Sequence, residues 1–332
     1  MINMKKHFLK HLLLLLIAGV LLPTISVAQV DSEEAIVVPD TLAVDTDTLT
    51  LTAEIWPCVK VGTSIPKSFR ARKANVITHS DSLQGVFDTL CTSGRPLRIL
   101  HLGDSHVAGK TFPLTIKSHL EAAWGEASNA SQGISYSYLA KNGATAMNFL
   151  TDDRLLLVEK KNPDLIILSF GTNECHGMGY NEETHLQELN KVIERLQNHC
   201  PQTAILLTTP PGDYLTTRRV TYPIDKKTGK RQCVVRRYKK PNPMSTRCAA
   251  LLDKYGEENG LPVWNLNAIT GGATAVHNWI AARMMRSDRI HFTPAGYELQ
   301  GKLFCEALLT AYTDYINAHN AAVANIQHPI DN

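Results

Sequence analysis

Residues 97–106 read LRILHLGDSH: six mostly apolar residues and then a glycine, an aspartate and a serine. An apolar run of this length predicts a β-strand that is buried on both faces. Residues 110–124 follow with the spacing of a helix. The serine of this stretch, Ser105, is therefore predicted to lie in the turn between a buried strand and a helix.

The alternation of apolar strands and helices continues on both sides of this stretch. Further strands are predicted at 134–139, 164–170, 204–208 and 262–266, and helices at 80–90, 154–161, 182–200, 246–259 and 294–317. Buried strands that alternate with helices are typical of a parallel sheet covered on both faces. The sequence thus predicts one α/β domain.

Three of the loops that follow these strands carry residues suited to an active site. In open α/β sheets ligands bind at the carboxyl ends of the strands. Ser105 at a helix start lies where free N–H groups favour a developing negative charge. The N–H of Gly143 can approach a substrate oxygen closely, and the Asn173 amide can donate to an oxyanion. Each signal is weak by itself, since aspartate, serine and asparagine are also common caps and turn residues.

A fourth element, Asp288-Arg289-Ile290-His291, precedes the helix entry Thr293-Pro294. An aspartate and a histidine three residues apart on one loop can bring the carboxylate against Nδ1 of the imidazole. Nε2 is then free to take the proton of a serine hydroxyl. By itself such a pair also has a structural interpretation, with Asp288 as a cap and His291 as a surface residue. In combination with Ser105 it is a candidate catalytic triad of Ser105, Asp288 and His291.

Together and in this order, the four elements resemble the SGNH hydrolases, which include the GDSL esterases. The resemblance implies a flavodoxin-like three-layer α/β/α sandwich with a mostly parallel, five-stranded sheet. It also implies a serine esterase that needs no cofactor or metal, with an oxyanion hole formed by Ser105, Gly143 and Asn173. His106 stands where the family usually has leucine, and the G-D-S-H block resembles a subgroup that includes peptidoglycan O-acetylesterases. Asp104 and His106 are candidate substrate contacts, although His106 also has a structural interpretation.

The N-terminus has the pattern of a secretory signal peptide. Basic residues precede the apolar run 12–22, and Ser26-Val27-Ala28 offers small residues for cleavage. A membrane anchor is the alternative, but the run is short for a span. We expect a signal peptide at 1–28, a partly disordered linker at 29–74, the hydrolase domain at 75–320 and a tail at 321–332. The mature protein is then periplasmic or extracellular and does not span a membrane.

Residues 218–240 interrupt the alternation with a strongly basic stretch. Their cations are Arg218, Arg219, Lys226, Lys227, Lys230, Arg231, Arg236, Arg237, Lys239 and Lys240, opposed only by Asp225. The pattern predicts a hairpin with strands at 220–224 and 232–238. Such a hairpin either attracts an anionic polymer or is a solvated excursion. The net charge of the chain, +3, is too small to favour nucleic acid as a partner.

Several functions remain for such a protein. The expected activity is the removal of O-acetyl groups from a polysaccharide, or from a small ester, through an acyl-enzyme. An O-acetyltransferase with the same triad and a non-catalytic glycan-binding protein are the alternatives. A classical α/β-hydrolase is disfavoured because no G-x-S-x-G turn is present. A metallophosphoesterase that uses His101, Asp104 and His106 is disfavoured because the later ligands that such a site needs are missing.

Overall fold

The computed structural model describes residues 62, 64–125 and 133–327, which all lie within one compact unit, Ala53–Asn332. The predicted signal peptide (1–28) and most of the predicted linker (29–74) lie outside the described residues. Within the described ranges, no helix combines the length and the apolar character needed to cross a bilayer.

A six-stranded sheet forms the centre of the domain, and a separate two-stranded hairpin projects from it. The strands are β1 (Ile77–Thr78), β2 (Leu97–Gly103), β3 (Ile134–Ala140), β4 (Leu165–Ser169), β5 (Ala204–Thr208), β6 (Tyr214–Thr221), β7 (Val234–Pro241) and β8 (Val263–Trp264). The order in the main sheet is β1-β8-β5-β4-β2-β3, and only β1 pairs antiparallel. The mostly parallel α/β sheet is confirmed. The five predicted strands are its parallel members, and the two-residue edge strand β1 is too short to leave a sequence pattern.

Helices cover both faces of the main sheet. They are α1 (Gln84–Thr92), α2 (Ser105–Ala108), α3 (Thr111–Trp124), α4 (Asp152–Lys161), α5 (Thr172–Cys175), α6 (Glu182–His199), α7 (Pro243–Asn259), α8 (Leu266–Ile269), α9 (Ala275–Ala281) and α10 (Pro294–Gln327), with 3₁₀ turns at Ser80–Leu83, Ala146–Phe149 and Gly272–Thr274. Helices α1, α3 and α10 pack on one face, and α4, α6 and α7 on the other. Side chains of β4 alternate between the two cores, as expected for a strand buried on both faces.

An ion-pair cluster joins the starts of β2 and β4. The Asp164 carboxylate accepts hydrogen bonds from the guanidinium groups of Arg95 at 2.8 Å and Arg98 at 3.0 Å, and from the Arg98 backbone N–H at 2.8 Å. Although burial acts to raise the pKa of Asp164, these two arginines lower it to about 2. The cluster fixes the end of the sheet opposite to the active-site loops.

The packed domain extends past both predicted boundaries. Phe69, in the predicted linker, is buried against Trp279 with 5.1 Å between ring centroids, and the Arg70 N–H donates to the Asn278 side chain. Helix α10 continues beyond residue 320, where the predicted tail begins. The turn and helices of residues 266–281 were not predicted; they are too short to show a helical period. The six described cysteines are free thiols.

The basic hairpin is present, but its strands are shifted from the predicted positions. β6 and β7 pair from Tyr214 opposite Pro241 to Thr221 opposite Val234. Pairing therefore begins at the base of the hairpin, where it joins the domain and where Tyr214 and Leu215 are buried. Only an isolated bridge, Ile224 to Arg231, continues toward the tip. The turn pattern at 225–230 predicted the hairpin, but the buried base that sets its register depends on the tertiary fold.

Candidate active site

Ser105 is the first residue of α2, directly after β2. The Asp104 side chain caps this short helix by accepting the N–H of His106 at 2.8 Å. Gly103 lets the strand and the helix approach each other, because a Cβ at this position would collide with the Val107 side chain. The tight strand–helix turn brings the Ser105 hydroxyl to the carboxyl-terminal edge of the sheet.

The predicted triad residues come together. The Ser105 Oγ lies 2.9 Å from Nε2 of His291, and Nδ1 of His291 lies 3.1 Å from Oδ2 of Asp288. Oδ1 of Asp288 accepts the backbone N–H groups of Ile290 and His291, each at 2.9 Å. Burial acts to raise the pKa of Asp288, but these N–H groups and the imidazole lower it overall. The carboxylate is thus held ionised by its own loop and oriented toward the imidazole.

Hydrogen-bond donors surround the position where an oxyanion would form. The backbone N–H groups of Ser105 and Gly143 have no acceptor among the described residues, and Gly143 has a φ of 69°, which favours glycine. Nδ2 of Asn173 donates to the Ala144 carbonyl at 2.8 Å and, at a longer 3.3 Å, to Oδ2 of Asp104. The N–H group that makes the longer bond to Asp104 is the one that can donate a hydrogen bond to an oxyanion. The three predicted donors therefore lie on three neighbouring loops.

Glu174 joins two of these loops, a role that the sequence did not predict. Its two carboxylate oxygens accept the N–H groups of Gly171 and Ala146, each at 2.8 Å. Burial raises the pKa of Glu174 above its usual range, while the hydrogen bond from the Ala146 N–H opposes the rise. The glutamate next to Asn173 was visible in the motif G-T-N-E, but its partner Ala146 is 28 residues away. Glu174 positions the loops of Gly143 and Asn173 relative to each other.

Asp104 and His106 are buried, which corrects the prediction that they contact substrate. Neither side chain lines the active-site cavity. Nδ1 of His106 bonds the Tyr297 hydroxyl at 3.0 Å, and its ring lies 5.5 Å from that of His291. Burial, and secondarily the nearby His291, lower the pKa of His106 to about 3, so its ring is neutral. Burial raises the pKa of Asp104 to about 7. Both residues pack beneath the catalytic groups: Asp104 contacts Asn173, and the His106 ring contacts that of His291.

A cavity of about 850 Å³ opens in front of the Ser105 hydroxyl. It is lined by Ser105, Ala108, Gly109, Thr111, Asn142, Gly143, Thr172, Asn173, His176, Arg286, Ile290, His291, Phe292, Thr293, Pro294 and Tyr297. No carboxylate is found among these lining residues, whereas Arg286 and His176 add two basic side chains to His291.

His176 forms a second histidine–carboxylate pair in this cavity, which the sequence did not predict. Nδ1 of His176 bonds the carboxylate of the buried Asp213, and this hydrogen bond raises the pKa of His176. Asp213 is fixed in turn by the Asn242 amide at 2.8 Å and by the Ser245 hydroxyl. His176 and Asp213 are 37 positions apart, so no local motif revealed the pair.

His101, a candidate metal ligand in the sequence, has both ring nitrogens occupied by hydrogen bonds. His101 is buried, and its two ring nitrogens bond the Tyr136 and Ser169 hydroxyls, each at 2.7 Å. No cluster of three or more His, Cys, Asp or Glu side chains suited to a metal ion is found in the described part of the chain. His101 therefore supports β2 from within the core.

The fold and the site together define a serine hydrolase of the α/β class, with its triad at the carboxyl ends of a parallel sheet. Residues 101–299, more than half of the chain, match the model of the GDSL-like lipase/acylhydrolase family. The chain belongs to this family and is a carboxylic ester hydrolase with the SGNH fold.

Several solved structures are similar to this chain. A peptidoglycan O-acetylesterase is 15% identical over 74% of this chain and 98% of its own, with a TM-score of 0.54. A lipase/acylhydrolase from Enterococcus faecalis is 19% identical over 64% of this chain and 96% of its own, with a TM-score of 0.42. A two-domain esterase active on acetylated mannans is 13% identical over 74% of this chain and 57% of its own, with a TM-score of 0.42. No curated protein matches the sequence.

Proposed function

We propose that this protein is an exported O-acetylesterase that removes acetyl groups from a polysaccharide. The observation that carries the proposal is the contact of Ser105 Oγ with His291 Nε2 at 2.9 Å, with Asp288 behind the imidazole. This arrangement is that of a nucleophile, its general base and the group that orients the base.

The reaction proceeds in two halves. His291 takes the Ser105 proton as the hydroxyl oxygen attacks the acetyl carbonyl, and the oxyanion accepts hydrogen bonds from the Ser105 N–H, the Gly143 N–H and Asn173 Nδ2. His291 then protonates the leaving sugar oxygen, and the acetyl group remains on Ser105. A water gives its proton to His291 and attacks the acyl-enzyme, and His291 returns that proton to the serine as acetate leaves.

Three features support a glycan ester as substrate. The cavity is large enough for a sugar unit, and polar groups of Thr111, Asn142 and Thr172 line it beside the serine. The similar fold of a peptidoglycan O-acetylesterase motivates acetyl as the acyl group that is transferred to Ser105. The basic N-terminal segment and the apolar run after it favour export, where such polymers occur.

Acetate release from O-acetylated peptidoglycan and from acetylated xylan tests the proposal, with p-nitrophenyl acetate as a small reference ester. We expect turnover of the reference ester and of at least one polymer, and loss of both in Ser105→Ala. Hydrolysis of the reference ester with neither polymer deacetylated would remove the glycan assignment. Activity that survives Ser105→Ala would contradict the mechanism. Acetylation of an added acceptor sugar in place of acetate release would identify a transferase instead.

A further inference from the structure

The basic hairpin β6/β7 is attached to the loop that carries the catalytic aspartate. Nζ of Lys239 donates to the carbonyl of Ser287 and, at 3.0 Å, to that of Asp288. At the hairpin base, the Tyr214 N–H donates to the Arg289 carbonyl at 3.0 Å, and the Arg289 guanidinium lies 5.0 Å from the centre of the Tyr214 ring. A ligand that lies along the hairpin therefore leads directly to the active site.

Two pairs of arginines oppose each other across the hairpin. Arg218 is the direct partner of Arg237, and Arg219 of Arg236, on opposite faces of the two strands. All four residues are exposed, and none of their side chains forms an ion pair with a described residue. Like charges directly opposite each other destabilise a strand pair. The arrangement is unfavourable for the isolated protein and becomes favourable when an anion lies between the charges.

The hairpin also exposes apolar side chains. Val220, Tyr222, Ile224, Val235 and Tyr238 are each between 42% and 64% exposed. Aromatic and aliphatic groups among arginines are typical of a surface that a partner covers. Association with a second copy of the chain at this surface is disfavoured, because it would bring two sets of ten cations together.

The positive charge continues from the hairpin into the cavity. Arg286, which lines the cavity, directly precedes Ser287, the residue whose carbonyl Lys239 binds. The backbone N–H of Arg286 bonds the His291 carbonyl at 2.8 Å, so this residue is part of the catalytic loop. His176, held by the buried Asp213, adds a second basic group in the cavity. Arg286 thus continues the positive charge of the hairpin into the cavity, and no carboxylate lies among the residues that line the cavity.

We propose that the acetylated polymer is a polysaccharide that carries carboxylates, of the polyuronate type, and that its chain binds along the hairpin. The inference rests on the proposed function, the removal of acetyl groups from a polysaccharide, because the basic side chains lead to the cavity of Ser105. The eight paired positions of β6 and β7 span about 26 Å at about 3.3 Å per residue, which is enough for several sugar units. Arginine binds carboxylates in a planar, two-pronged geometry, and His176 and Arg286 receive a carboxylate next to the acetylated sugar.

The test compares O-acetylated polygalacturonate with acetylated glucomannan, a neutral polymer, and with p-nitrophenyl acetate. The variant replaces the four arginines (Arg218→Gln, Arg219→Gln, Arg236→Gln, Arg237→Gln). Its matched control removes four exposed charges elsewhere (Lys160→Gln, Lys161→Gln, Lys191→Gln, Lys254→Gln). Each exposed ion pair is typically a small contribution, and a chain on one face contacts one arginine pair directly, so the variant should show a decrease of several-fold in kcat/KM on polygalacturonate, mainly through KM.

We expect the wild type to prefer the anionic polymer, and the control variant to keep that preference. The arginine variant should retain its activity on p-nitrophenyl acetate and glucomannan within about twofold. Binding is read independently of catalysis by gel retardation of Ser105→Ala with de-esterified polygalacturonate. That binding should disappear at about 1 M salt, where the screening length falls to about 3 Å.

Equal use of the two polymers, or an equal loss in both quadruple variants, would overturn the inference and leave the esterase proposal intact. Deacetylation of neither polymer, with p-nitrophenyl acetate still hydrolysed, would overturn this inference, and the proposed function would then stand or fall on the assays with peptidoglycan and xylan. Tighter arginine-dependent binding to duplex DNA or to anionic lipid vesicles than to polygalacturonate would assign the hairpin to a different partner and also overturn the inference.

Discussion

Glu174→Gln separates the positioning of the oxyanion loops from the stability of the fold. The glutamate accepts one N–H from each of two loops, at 2.8 Å in both cases. A glutamine keeps one acceptor oxygen, while its NH₂ group faces the other N–H and cannot accept it. The loss of one charge-assisted hydrogen bond lowers the free energy of unfolding by about 1.5–3 kcal/mol. The raised pKa of Glu174 shows that its buried charge is unfavourable, so removing the charge offsets part of this loss.

We therefore expect a decrease of about 1 kcal/mol in the free energy of unfolding, or a fall of about 2–4 °C in Tm. The activity should fall much further than this. Complete removal of one oxyanion donor typically lowers kcat about 100- to 1,000-fold, and a displaced donor retains part of its effect. The expected decrease in kcat is about 10- to 100-fold, with KM within about twofold.

The assay is steady-state hydrolysis of p-nitrophenyl acetate, with thermal unfolding measured on the same samples. Glu182→Gln is the matched control, because Glu182 is a partly exposed residue of α6 that pairs with Arg247 on the surface. It should leave kcat unchanged. A Glu174→Gln enzyme with wild-type kcat and a raised KM would refute the reasoning, since a displaced oxyanion donor acts on the transition state and not on substrate binding.

Three further predictions concern other contacts of the site and the sheet. Asn173→Ala should lower kcat about 100- to 1,000-fold with little change in KM; a pure KM effect in steady-state assays would exclude its amide as an oxyanion donor. Lys239→Met should lower kcat several-fold without changing the sheet, measured as activity beside far-UV circular dichroism, because the Asp288 loop loses one of its hydrogen bonds to the hairpin; unchanged kcat would show that this contact does not position the loop for catalysis. The Asp164 pKa of about 2 lies below its ordinary value, so the carboxylate stabilises the fold at neutral pH and this contribution, about 2 kcal/mol, is lost as the pH falls from about 4 to 2. The stability difference between wild type and Asp164→Asn in urea should shrink over that range, and a difference independent of pH would show that the ion pairs do not stabilise the sheet.

The chemistry of the site was readable from the sequence where it depends on neighbours in the chain. The turn Gly103-Asp104-Ser105 forms its own helix cap, and Asp288 is oriented by N–H groups two and three residues ahead. Such contacts require only a local backbone conformation, which short patterns specify. The meeting of Ser105 with His291 was expected from the resemblance to the SGNH hydrolases, because the loop of His291 follows the helices after β8 and not a strand.

Other features depended on the whole fold. His106 is a supporting residue because its ring is held by Tyr297 of α10, almost two hundred positions away. The pairs Glu174 with Ala146 and His176 with Asp213 likewise join distant loops.

The sequence alone determined the alternating strands and helices, the nucleophile turn and the D-x-x-H loop, because hydrophobic periodicity and local hydrogen bonds encode them. The tertiary structure decided the second histidine–carboxylate pair and the attachment of the basic hairpin to the catalytic loop. Contacts between residues tens of positions apart leave no spacing in the chain, since they form only when the packed sheet brings the loops to a common edge.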